Sequence, residues 1–382
     1  MKFCSITKII LFCWFIGFCL SNEVGFSDRI IIGPNYYVVG IGIDINSYPV
    51  GTAFNITNPS SPSEVVTKIQ LAITKIGENG GGVVHIKQGL YTCKKNIFIL
   101  ANNIQIKGDG IDKTILKLQN YAASFIIGNS KKSGFLRTKS CNHIIISQLT
   151  LDGNKNNQYN DEDHLYGRYG IFTEGSKDIW FDFVKIINFQ GYGFDPHGWK
   201  SGGIWGNYLT ISNCISENNN WDGFTLDQTF NMSVNNCTSK NNGRHGFNVV
   251  TGTKYALITN CTASYNGFYD PHGGSGCGFM VQNNQLFSTS DVVIKNSYST
   301  HSKKGGICLN DVFNLKLLNN LIDDTCICFN LVKTTKSLIE QNTCITNKLT
   351  YGSGTILVNG TGTGPNVYMN NNTFNKISNC LK

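Results

Sequence analysis

Between residues 191 and 251 this sequence gathers side chains that could move protons. GYGFDPH (191–197) carries Tyr192, Asp195 and His197, and WDGFTLD (221–227) carries Asp222 and Asp227. RHGFNVVT (244–251) opens on Arg244 and His245. Tyrosine and histidine can exchange protons with a bound substrate, carboxylates orient or charge a histidine, and arginine neutralises a ligand carboxylate. A single Asp or His on a protein surface is ordinarily only solvated. Three successive segments that supply the whole set are the inventory of a proton-transfer site.

The elements that must position these groups show in their spacing. All three segments share a Gly-Phe pair, and GCGFMVQ (276–282) repeats it. Cys214, Cys237 and Cys261 recur in ISNCIS, VNNCTS and ITNCTA, 23 and 24 residues apart. A period in the low twenties built from short β-type runs predicts stacked coils. If Phe194, Phe224, Phe247 and Phe279 are equivalent inward positions, alternation sends Asp195 and His197 outward. Asp227 then stands beside His197 on the next coil, about 4.8 Å away. Arg244 lies three residues before Phe247. Tyr192, Asp222 and His245 each stand two before their Phe. Strict alternation turns them inward, whereas a bend at the intervening glycine turns them out, and the spacing leaves both directions open.

The rest of the chain fits the same architecture. Ser61, Pro62 and Glu64 form a helix-start signature, and Val65, Ile69, Ala72, Ile73 and Ile76 make an apolar stripe that Gly77 ends. A solenoid needs its open apolar end covered, so this helix reads as a cap. From Gly82 onward short alternating strands and Gly- or Asn-rich turns follow one another. The predicted fold is all-β: one right-handed parallel β-helix over 61–382, an N-terminal capping α-helix, and an extended lead-in at 22–60. Residues 155–178 and 264–275 break the period and read as long loops on the binding face.

Composition narrows the class. Charged residues are 15% of 382, with 41 glycines, which suits turns better than long helices. Lys2 and Lys8 before the apolar run Ile9–Leu20 read as a secretory signal over 1–21, too short for a spanning helix of roughly 20 residues. The expected location is therefore extracellular, with no membrane association after signal removal. Net charge is +8, or +6 without the leader, which fits a polyanionic partner. No block of like charge points to nucleic acid. Of 14 cysteines, eleven remain after the leader. The recurring Cys214, Cys237 and Cys261 read as an interior stack, and Cys326 and Cys328 lack the second pair a zinc site needs. Six sequons, at Asn55, Asn231, Asn236, Asn260, Asn359 and Asn371, are candidate glycosylation sites.

YGFDPH, the DGF with an Asp three beyond its Phe, and NxRHGFNVVT together resemble the catalytic module of alginate (mannuronan) C5-epimerases. Their mutual spacing matches as well, and the resemblance runs over about residues 64–285. It implies a monomeric enzyme acting on an acidic polysaccharide by removing the C5 proton of a uronate and returning one to the opposite face. By motif position, Tyr192 and His197 are the proton-transfer pair, with the assignment of acid and base open. Asp195 and Asp227 orient His197 or bind the sugar, and Arg244, His245 and Asp222 line the substrate groove. Arg244 suits bidentate contact with a carboxylate and would lower the pKa of Tyr192.

Two departures stand out. The family's DPH usually continues with an acidic residue, where this chain has Gly198. The family's lysine after the DGN segment has no clean counterpart, Lys155, His164 and Arg168 being the candidates. A second DPHG, at 270–273, reads as a loop motif. No cofactor is expected. A structural Ca²⁺ stays open, with nothing in the sequence to support one, and the calcium-binding tail modules common in the family are missing, which implies a lone catalytic module. β-Elimination by the same groups and a non-catalytic carbohydrate-binding β-helix are the alternatives. A hydrolase lacks its paired carboxylates.

Overall fold

A computed structural model describes residues 36–39, 62–122, 134–139, 141–159, 169–198, 206–269, 276–283, 287–323, 327–346, 356–358 and 367–376. The predicted leader lies outside them, as does most of 22–60, although Tyr36–Val39 pairs in parallel with Gly82–Ile86. The described chain winds as a right-handed parallel β-helix. A typical coil supplies one strand to a 10-stranded sheet and two to a larger, 21-stranded array. The stretch Phe224–Asp227, Thr229–Asn235 and Thr238–Lys240 is one such coil.

Register follows the Gly-Phe repeat. Phe194 pairs with Phe224, Phe224 with Phe247, and Phe247 with Phe279. Their rings stack inside the coil at centroid distances of 4.7, 4.7 and 5.0 Å. Identical side chains at identical coil positions stack in the interior, and each fully buried Phe removes a large apolar area from water. Cys214, Cys237 and Cys261 are buried and free, as an interior stack requires.

A second interior column is polar and self-satisfied. Asn242 Nδ2 donates to Asn266 Oδ1 at 3.2 Å and to Ser216 O at 3.0 Å, while Asn219 Nδ2 donates to Asn242 Oδ1 at 3.0 Å. A buried amide ladder of this kind is tolerable because every member has partners.

The abundance of asparagine has its own cause. Each turn of the coil needs left-handed corners, and Asn adopts αL more readily than most residues. In the coil that starts at Phe224, Gln228, Asn231, Asn236 and Asn241 have φ of 47°, 54°, 53° and 54°. The amides of the sequon residues Asn236 and Asn260 are engaged at such corners, with Asn213 Oδ1 and Asn235 Oδ1.

The capping helix spans Pro62–Glu78, one residue past Gly77. Gly77 does not stop it. A Cβ there would collide with Ala101, so Gly77 permits close packing of the helix on the first coils. The stop falls at Gly80 and Gly81, with φ of 89° and 120°, where Gly81 N–H reaches back to Ile76 O at 2.8 Å. Ile69, Ala72, Ile73 and Ile76 close the apolar end. Gln70 exchanges two hydrogen bonds with the backbone of Phe98, at 2.9 and 3.0 Å, and so pairs a strand beneath the cap.

One further sequence expectation changes, and the disulfide pairing that the sequence left open is supplied. Residues 155–178 are not all loop, because Tyr169–Glu174 is a strand whose Ile171 pairs with Phe194. Cys328 is disulfide-bonded to Cys344, and Cys277 to Cys308. The register account predicts that Phe224→Ala destabilises the protein by about 3–5 kcal/mol in denaturant unfolding, while Phe224→Leu costs markedly less.

Candidate active site

The bend at each Gly-Phe decides which way the reactive groups face. Gly193 occupies an inward position beside the polar ladder, and a Cβ there would lie 2.6 Å from Gly223 O and 2.9 Å from Asn219 Nδ2. Gly223 and Gly246 are hemmed in by Asn242 and Asn266 in the same way. Glycine and the following Phe therefore both take inward positions. The residue before the glycine goes to the outer face of the ten-stranded sheet. Tyr192 packs there against an aromatic cluster of Tyr169, Phe172 and Trp221 that is separate from the main core.

Asp222 and Arg244 form one ionic unit. Asp222 is fully buried and accepts from Arg244 Nε at 2.6 Å and from Arg244 Nη2 at 2.7 Å. It also accepts from His245 N at 2.9 Å and from Asn248 Nδ2 at 2.8 Å. Burial alone would raise its pKa, but Arg244 and the converging donors hold it at about 2. The carboxylate thus adds stability above its unfolded pKa of about 3.9 that fades as pH falls toward 2. Asp222 has no open face for a polymer; it holds Arg244. The bidentate edge of Arg244 is spent on Asp222 rather than left for a ligand. Nη2 also donates to Tyr192 Oη at 3.0 Å, so Nη1 is the guanidinium nitrogen these bonds leave uncommitted.

Tyr192 is held as a phenol. Burial pushes its pKa up, and Arg244, 5.2 Å from the ring centroid, only partly opposes that. Arg244 does lower this pKa, as the sequence led one to expect, but desolvation outweighs it. Because Oη accepts from Arg244, its own hydrogen is available to donate elsewhere. Trp221 meets the Tyr192 ring edge-on at 4.8 Å, and Tyr169 lies 4.9 Å from it.

His197 forms the second ionic unit. Its Nδ1 lies 3.1 Å from Asp227 Oδ2 and 3.8 Å from Asp195 Oδ1. Burial disfavours the charged ring, yet the two carboxylates outweigh it and raise the pKa to about 10. Phe172, one coil earlier, stacks on the imidazole at 5.7 Å. Ligand-type atoms of Asp195, His197 and Asp227 lie within 4.8 Å of one another, a spacing a cation could use.

His245 is buried, and its Nδ1 accepts from Cys277 N–H at 3.0 Å, which places the ring proton on Nε2. Of the lysine candidates, Lys155 donates to Asn218 O at 2.6 Å and Asn218 Oδ1 at 2.9 Å, whereas His164 and Arg168 lie outside the described residues. So does the second DPHG. Gly198 has a steric reason: a Cβ there would stand 2.6 Å from both Cβ and O of Gln228. Tyr169, Phe172 and Trp221 were not singled out from the sequence. Trp221 occupies the same position before its Phe as Arg244 does, which was the one available signal.

Fold and site together define a right-handed β-helix with a cluster of ionisable side chains on one sheet. The "Right handed beta helix region" family model matches residues 81–263. Mannuronan C5-epimerase AlgE1 of Azotobacter vinelandii is 29% identical over 227 residues, 58% of this chain and 15% of the relative. Alginate lyase 7 of the same organism is 27% identical over 195 residues, 48% of this chain and 21% of the relative. The Azotobacter vinelandii mannuronan C-5 epimerase AlgE4 A-module superposes with a TM-score of 0.64 at 22% identity, covering 82% of this chain and 92% of that one. The chain has the right-handed β-helix fold and is similar to mannuronan C5-epimerases, and it spans well under half the length of these curated relatives.

The electrostatic account predicts that His197 titrates near pH 10 by NMR. Asp227→Asn removes a negative neighbour and should lower that pKa by more than one unit. A wild-type midpoint near 6.5 would show that the carboxylates do not control the ring.

Proposed function

We propose that the protein modifies a polyuronate, and specifically that it epimerises mannuronate units of an alginate-like polymer at C5. The observation that carries this reading is that Tyr192, which accepts from the partly exposed Arg244, and His197, set between Asp195 and Asp227, stand on one coil of the ten-stranded sheet. The similarity to mannuronan C5-epimerases supports it.

A C5 proton α to a carboxylate is weakly acidic, and its removal places charge on that carboxylate. Arg244 Nη1 is positioned to meet such charge, and Asp222 fixes the guanidinium before substrate arrives. One member of the Tyr192–His197 pair takes the C5 proton, and the other returns a proton to the opposite face. Atoms balance without a co-reactant, because the product is an isomer. Lys304 is exposed and occupies the coil position of Arg244 two coils further on. At about 4.8 Å per coil it would stand roughly 10 Å along the axis, suiting an acidic polymer laid along the helix.

β-Elimination is the second reading, favoured by the similarity to an alginate lyase. It begins with the same abstraction, but the C4–O bond breaks and the departing oxygen takes the proton. The two outcomes separate in one experiment. Polymannuronate incubated in D₂O should gain deuterium at C5 together with new guluronate. Unsaturated chain ends would instead mark a lyase, and neither product across several uronans would overturn the enzyme reading.

Both groups hold their protons at neutral pH, so one must release its proton before turnover. The expected kcat/KM therefore rises between pH 6 and 9. If His197 is the base, Asp227→Asn moves that limb to lower pH; if Tyr192 is the base, the limb stays. Tyr192→Phe and His197→Gln should each lower kcat by at least about 100-fold, and full activity in either would contradict the assignment.

A further inference from the structure

Beside His197 sits a polar side chain with nothing to bind. Gln228 is 2% exposed, and neither Oε1 nor Nε2 has a hydrogen-bond partner among the described residues. The adjacent Asp227 has the same property at Oδ1, while its Oδ2 faces His197 at 3.1 Å. Buried amides and carboxylates are nearly always satisfied, because an unpaired one costs stability. Two such groups on consecutive residues, next to the proton-transfer histidine, are not explained by packing.

Local backbone geometry keeps them there. Gln228 takes a left-handed corner with φ of 47°, and its carbonyl accepts from Gly206 N–H at 3.1 Å. Its side chain lies against Gly198, the residue after His197. A Cβ at 198 would come within 3.2 Å of Gln228 Oε1 as well as 2.6 Å from its Cβ. Absence of a side chain at 198 is what allows the glutamine to occupy this position. Gln228 therefore lies over Gly198, the residue that follows His197 on the preceding coil.

We propose that Gln228, with Asp227 Oδ1, is a substrate-recognition site for the hydroxyl groups of a sugar held beside His197. The unpaired atoms are one donor, Nε2, and two acceptors, Gln228 Oε1 and Asp227 Oδ1. A pair of neighbouring sugar hydroxyls offers the complementary pattern, since each hydroxyl both donates and accepts. A site built to hydrogen-bond a hydroxyl strongly rejects a ligand that lacks it, so Gln228 sets specificity as well as affinity. The identity of the ligand as a polysaccharide rests on the function proposed above; the unpaired amide does not.

Gln228→Leu separates a binding role from a structural one. The leucine has similar bulk and removes the unpaired amide, so the variant should melt at the same temperature as wild type or higher. Its affinity for polymannuronate oligomers, measured by calorimetry, should fall at least about tenfold. Polyguluronate and an uncharged β-1,4-mannan complete the panel. If wild type prefers the uncharged chain and Gln228→Leu weakens that binding, recognition by Gln228 stands and the uronan reading fails. Unchanged affinity of Gln228→Leu for every ligand that wild type binds overturns the proposal, as does a wild-type protein that binds none of the three.

Discussion

Hydrogen bonds between successive coils run in parallel register through Phe194, Phe224, Phe247 and Phe279, and every outward side chain inherits its place from that register. A shift of one residue in any coil would send the reactive groups to the other face of the sheet. The stacked rings make such a shift costly, since it would replace a buried Phe with a glycine or, in three of the four coils, with Asp195, Thr225 or Asn248. Precision at the surface is thus supplied by bulk in the interior. The glycine before each Phe adds a second constraint: with no Cβ, it lets the Ser-Asn ladder fill the space and turns the preceding residue outward.

On that frame two ionic units divide the work. Asp222 is a buried anchor whose carboxylate is committed on all sides, and its effect is to fix Arg244 against Tyr192. Asp195 and Asp227 instead hold a proton on His197. The first unit keeps a partly exposed cation on the sheet face, and the second favours the charged form of the imidazole. Desolvation alone would weaken both charges, so the carboxylates have to overcome it. Around them Tyr169, Phe172 and Trp221 exclude water from the reactive rings, which strengthens every charge interaction inside.

Much of this was legible in the sequence, for a physical reason. A coil repeats its environment, so Gly-Phe recurs wherever the interior demands it, and the outward course of Asp195, His197 and Asp227 follows by alternation. The direction of Tyr192, Asp222 and His245 was not legible, because two successive inward positions at Gly-Phe break the period of two. The full commitment of Asp222 also escaped, since its partners come from Arg244, His245 and Asn248 one coil later. Tyr169 and Phe172 sat in a stretch that read as loop, their strand masked by the longer insertion before it. Both disulfides join residues whose spacing obeys no rule. Corners at Tyr208 and Tyr255, with φ of 56° and 57°, carry aromatic residues that do not announce a left-handed turn.

The central claim is that the Phe register brings Tyr192, His197 and Arg244 to bear on one sugar. A crystal structure of the His197→Gln variant with a mannuronate oligomer tests it directly. The account predicts the chain along the helix axis on the ten-stranded sheet, one carboxylate at Arg244 Nη1, and C5 of that sugar in reach of Tyr192 Oη and residue 197. An oligomer seated on the larger sheet, or with its carboxylate remote from Arg244, would contradict it.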